Sequence, residues 1–118
     1  MSQNQDQKPF LILASARADL RAVGASLDTQ SVGKGVRFFA AARSVIDLLT
    51  TMPYVGTPSD FGVPTLHSMR YVRVKGFKSY LIFYRSLASK DGIVVHRVLH
   101  PARDVVPLLE ESLDDSNQ

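Results

Sequence analysis

Residues Tyr80-Leu81-Ile82-Phe83-Tyr84 form an almost unbroken apolar and aromatic run. A strand of this kind has no polar face to turn to water, so it needs cover on both sides and a central place in a sheet. The segments around it supply the neighbours. Residues 66–74 alternate as a strand, Lys75-Gly76-Phe77 reads as a tight turn, and residues 78–85 carry the chain back. A second turn over residues 87–92, with Asp91-Gly92 as its strongest signal, returns the chain into Ile93–Leu99.

The first half has a different period. Pro9-Phe10-Leu11-Ile12-Leu13-Ala14 is apolar but too brief for a helix, and it reads as a strand. Ser15 offers an N-cap to a first helix in which Leu20, Val23 and Leu27 recur at three- and four-residue steps, and Asp28-Thr29-Gln30-Ser31 breaks it. Residues 32–52 predict a second helix. Its stripe of Phe38, Ala42, Val45, Leu49 and Met52, widened by Phe39 and Ile46, is broad enough to need two neighbours, the first helix and the sheet. Pro53 ends that helix, and residues 54–64 hold Gly56, Pro58, Gly62 and Pro64 in a loop. Asp104 can cap a last helix over residues 105–113, with Pro107 inside the first turn, where its missing N–H costs little.

The expected fold class is therefore α+β: an N-terminal strand, a helical hairpin, a three-stranded antiparallel meander and a short C-terminal helix, with the hairpin on one face of the sheet. At 118 residues, 45% of them apolar, the chain suits one domain, placed at residues 9–113. Residues 1–8 read as a disordered polar tail and residues 114–118 as an acidic one.

Charge is distributed unevenly. From His67 to Arg103 stand Arg70, Arg73, Lys75, Lys78, Arg85, Lys90, Arg97 and Arg103 against the single acid Asp91, so the predicted sheet is also the basic part of the chain. The net charge of +3 is mild and suits an acidic partner better than a dedicated nucleic-acid binder. The absence of cysteine excludes a disulfide framework, a thiolate metal site and a cysteine nucleophile. No apolar run has the length of a membrane span and the N-terminus lacks a signal peptide's apolar core, so a cytoplasmic location is expected.

Few residues carry chemistry by pattern. His100 stands alone at a strand end beside Arg103, without a serine, cysteine or second histidine at useful spacing; these two are the only catalytic candidates, and a hydrogen-bonded structural role suits His100 better. No set of residues has metal-ligand spacing, and neither a phosphate-binding glycine loop nor a hydrolase elbow is present. By strand alternation Arg85 shares a face with Leu81 and Phe83, and Arg97 one with Ile93, Val95 and Leu99. Arginines so placed either pair with a carboxylate, Asp104 or Asp19, or point at a partner. Arg70, Arg73, Lys75 and Lys78 around the first hairpin form either a solvated basic face or a contact surface.

Tyr80-Leu81-Ile82-Phe83-Tyr84-Arg85, Arg97-Val98-Leu99-His100 and Ala102-Arg103-Asp104, with Ala18-Asp19-Leu20 and the loop Pro53-Tyr54-Val55-Gly56-Thr57-Pro58, resemble the ParE-type toxins of the RelE/ParE superfamily of bacterial toxin–antitoxin systems. The resemblance implies a small toxin that inhibits DNA gyrase without being an enzyme, uses no cofactor, and is neutralised by a cognate ParD-like antitoxin. It implies no sequence-specific nucleic-acid binding by the toxin alone. The antitoxin is expected to lay apolar side chains against Phe38, Phe39 and Ile46 and acidic ones against Arg70, Arg73 and Arg85. Arg97, His100 and Arg103 are expected to face the target. The sister branch, similar to RelE, cuts messenger RNA on the ribosome. Its pattern places an arginine where this chain has Leu81 and an aromatic or histidine acid near the C-terminus, where this chain offers Val105, Val106, Leu108 and Leu109. An inactive homologue that binds only antitoxin is the third reading. Pro101 stands where a glycine is usual in the ParE pattern; it stiffens the turn and removes an N–H.

Overall fold

A computed structural model describes residues 10–87 and 92–116. The polar tail at residues 1–8, and residues 88–91 of the turn predicted over 87–92, lie outside the described residues. In order, the elements are β1 (Phe10–Ile12), α1 (Ala14–Gln30), α2 (Lys34–Thr51), β2 (Thr57–Pro58), a 3-10 turn at Pro64–Leu66, β3 (Arg70–Val74), β4 (Phe77–Ser86), β5 (Ile93–Leu99) and α3 (Val105–Ser116). The strands form one sheet in the order β1-β5-β4-β3-β2. β3, β4 and β5 make the expected antiparallel meander, and β1 lies parallel to β5, with Phe10 opposite Ile93. A parallel pair needs a crossover, which the helical hairpin α1–α2 and the first two strands of the meander provide.

The all-apolar run on β4 is buried on both faces. Ile82 and Tyr84 enter a core with Phe38, Ala42, Ile46 and Leu49 of α2, while Leu81 and Phe83 enter a second core with Leu66, Met69, Leu99 and Leu109 under α3. Phe38, Ala42, Ile46 and Leu49 are spaced at four, four and three residues, so one straight stripe meets the sheet. Val45 and Met52 fall to its side, and Met52 is half exposed.

Several local expectations shift. The N-cap of α1 is Leu13 and no side chain caps it; Ser15 lies inside the first turn, where its hydroxyl donates to the His96 carbonyl at 3.3 Å. The first helix continues through the predicted break to Gln30, and the Asp28 carboxylate reaches across to accept the Gly35 N–H at 2.8 Å, pinning the start of α2. Leu66 belongs to the 3-10 turn, so β3 begins only at Arg70. α3 runs to Ser116 and takes in Asp114 and Asp115, because Asp115 accepts the backbone N–H of Ser15 at 3.3 Å and ties the helix end to α1.

The two helices of the hairpin cross closely at a pair of glycines. A Cβ on Gly35 would stand 2.5 Å from the Gly24 carbonyl oxygen and 3.0 Å from the Asp28 carboxylate, so only glycine permits this approach. Gly24 likewise gives way to the ring of Phe39, which would meet a Cβ at 2.4 Å.

β5 holds the most consequential irregularity. The register passes from Phe83 opposite Arg97 to Tyr84 opposite Val95, which leaves His96 as an extra residue in a β-bulge. Beyond the bulge the faces exchange. Ile93, Val95 and Val98 share the α2-side core, whereas Leu99 lies under α3. The alternation that placed Arg97 with Ile93 and Val95 therefore does not hold.

Candidate functional site

The basic residues of the sheet do not act as one cluster. Arg97 is interior: its Nε and Nη2 donate to the two carboxylate oxygens of Asp19 at 2.7 and 2.8 Å, and its Nη1 donates to the Leu108 carbonyl at 3.3 Å. The two side chains are 10% and 11% exposed. Hydrogen bonding to Asp19 holds the guanidinium above its ordinary range. Asp19 also accepts the Val98 N–H at 2.9 Å, so one carboxylate joins α1, β5 and, through Arg97, α3. Of the two acids open to Arg97 in the sequence, Asp19 is the partner, and the residue proposed for target contact is enclosed.

His96 is enclosed as well. Its Nδ1 donates to Ser112 Oγ at 2.9 Å, since that hydroxyl is itself donating to the Leu109 carbonyl at 2.6 Å. Burial, reinforced by the Arg85 charge and opposed by Asp115, lowers the imidazole pKa to about 4. Ser112 is buried too, so the pair fastens α3 to the bulge and presents no reactive group to water. Arg85 donates to the Thr65 carbonyl at 2.6 Å, its Nε is buried without a hydrogen-bond partner, and burial lowers its pKa.

Arg70 holds the loop that follows α2. It donates to the carbonyls of Gly56 at 2.7 Å and Tyr54 at 3.3 Å, with its guanidinium over the Tyr54 ring at 5.5 Å. Tyr84 holds the same loop from within the sheet: its hydroxyl accepts the Gly56 N–H at 2.9 Å and donates to the Pro53 carbonyl at 2.8 Å. The phenol is neutral, with a pKa raised by burial and only partly restored by the Gly56 N–H and the Arg70 charge. A Cβ at Gly56 would lie 2.5 Å from that oxygen, which accounts for the glycine. The sequence did carry a signal for this contact, because a tyrosine hydroxyl inside a central strand must find a partner.

Three predicted polar residues remain at the surface, and one apolar one, Phe39. Arg73 is exposed and donates to the Lys78 carbonyl at 2.8 Å across the β3–β4 turn. Arg103 is exposed, and His100 is half-buried, edge-on to Tyr80 with ring centres 5.6 Å apart. The turn at His100 is closed by the Ala102 N–H donating to His100 Nδ1 at 3.0 Å and the Arg103 N–H donating to the His100 carbonyl at 3.0 Å. Pro101 therefore removes no bond that this turn uses. On α2, Phe38 and Ile46 are 0% and 1% exposed and belong to the core, whereas Phe39 is 41% exposed. Leu48, Met52, Tyr54 and Val55 are about half exposed or more, and a shallow groove lined by Ala41, Ser44, Val45 and Leu48 runs beside Lys75. Among the described residues there is no group of three or more potential metal ligands, and no helix is long and apolar enough to cross a membrane.

The fold and these surfaces define a small α+β protein that exposes cations on the β3–β4 hairpin and the turn after β5, and others on the two helices α1 and α2. Residues 10–105 match the family model of the ParE toxin of the parDE type II toxin–antitoxin system, and the chain belongs to that family. A comparison with curated proteins finds no match.

Proposed function

We propose that this toxin acts in the cytoplasm by inhibiting DNA gyrase, without catalysing a reaction itself, and that a cognate ParD-like antitoxin neutralises it by binding its surface. The observation that carries the non-catalytic reading is Leu81. It stands where the nuclease branch has an arginine, and it packs at 7% exposure in the core under α3. The neighbouring Arg97 is saturated by Asp19 and Leu108, which withdraws it from any set of cations that could stabilise a pentavalent phosphate. The exposed residues suit recognition instead. Val45, Leu48 and Lys75 give an antitoxin an apolar groove with a basic edge, and His100 and Arg103 stand on one turn where a target can reach them.

The test pairs two assays: supercoiling by purified gyrase, and primer extension on transcripts from induced cells. Cleaved DNA complexes with intact transcripts are the expected result, and codon-positioned cuts in messenger RNA would overturn it. Tight antitoxin binding with no effect in either assay would instead identify an inactive family member.

A further inference from the structure

The corner where α1 turns into α2 meets the β3–β4 hairpin across an open recess of about 330 Å³. Gln30, Lys34, Lys78, Ser79, Tyr80 and His100 supply its polar lining, and among the described residues no carboxylate contributes to it. We propose that this recess binds phosphate groups of a nucleic-acid backbone, without reading sequence, and that it shares His100 with the turn proposed above for target contact.

The chemistry of the lining is one-sided. Lys34 Nζ is held by Gln30 Oε1 at 2.9 Å, a neutral acceptor that positions the ammonium and leaves its charge unbalanced. His100 Nδ1 is engaged as an acceptor of the Ala102 N–H, so its proton sits on Nε2 and is available to a ligand. The Lys78 ammonium and the Ser79 and Tyr80 hydroxyls have no protein hydrogen-bond partner among the described residues. Two lysines and three residues with neutral donors line one space with no carboxylate among the described residues, and such a lining calls for an anionic ligand.

Backbone phosphate suits the site better than the carboxylates of an acidic peptide. Lysine binds phosphate as a point charge from any direction, and no arginine fork lines the recess to grip a planar carboxylate. The charge also continues beyond the recess along the hairpin through Arg73 and Lys75, both exposed, as a polyanion with evenly spaced charges would require.

The test is fluorescence anisotropy of the full chain with short labelled duplexes of two unrelated sequences, over a range of salt concentrations. The two duplexes should bind alike. Lys34→Gln and Lys78→Gln should each weaken binding about 3- to 10-fold at low salt and make the salt slope shallower by about one. Arg43→Gln is the control: it removes the same charge from an exposed residue paired with Asp47, outside the recess, and should change binding less than 2-fold, roughly. Equal losses in all three variants would overturn the site. So would polyglutamate displacing the duplex at lower charge concentration than unlabelled DNA, which would assign the recess to an acidic peptide. Binding of ATP or inorganic phosphate that depends on Lys34 and Lys78, with no duplex binding, would assign it to a free phosphate ligand and overturn the backbone reading.

Discussion

Asp19 on α1 and Arg97 on β5 form a two-pronged ion pair, with N–O distances of 2.7 and 2.8 Å, across 78 residues of sequence. Removing one partner leaves a buried charge without its counter-ion, a loss of about 3 kcal/mol or more. Asp19→Asn should therefore lower unfolding free energy by that order in urea titration. The joint replacement Asp19→Leu with Arg97→Met should cost less than the sum of its two single changes, and strict additivity would show that the pair is not coupled.

Tyr84→Phe removes one hydroxyl that serves two backbone groups, the Gly56 N–H and the Pro53 carbonyl. A loss of about 1–3 kcal/mol is expected, with faster hydrogen exchange at the Gly56 amide. The pKa of Tyr84 is raised in the folded state, so its contribution is intact below the unfolded value of 10.0 and is lost as pH rises through the higher folded value. The alkaline fall in stability should be smaller in Tyr84→Phe than in the parent.

His96 predicts the opposite dependence. Its folded pKa of about 4 lies below the ordinary 6.5, so the neutral ring contributes stability above pH 6.5 that drains away as pH falls towards 4. The difference is worth on the order of 3 kcal/mol. A His96→Gln variant should lose less stability than the parent between pH 6.5 and 5, above the range in which ordinary carboxylates titrate, and parallel curves there would contradict the buried neutral imidazole.

Gly35→Ala tests the crossing of the hairpin. The added methyl would meet the Gly24 carbonyl at 2.5 Å, and helix backbones cannot yield as a flexible side chain can. Overpacking of this kind costs about 1–3 kcal/mol, despite alanine's better helix propensity. A thermal midpoint equal to or above that of the parent would show that α1 and α2 separate freely.

Periodicity was sufficient for the order of elements, the burial of Phe38, Ala42 and Leu49, and the central position of β4, because each depends on which side chains recur on one face. It failed at Arg97, where the extra residue His96 moved the side chain to another face, since a bulge leaves no mark on residue type. It also drew the stripe of α2 too wide at Met52, and the expectation that an antitoxin touches Phe38 and Ile46, which came from the family resemblance, fails because the sheet covers both. The choice of Asp19 over Asp104, the fit of Gly35 against Gly24, and the Gly56 loop on Tyr84 join residues far apart in the chain or on separate elements. Local sequence sets the shape and polarity of each element, but such partners are chosen only when packing brings those elements within hydrogen-bond or van der Waals reach.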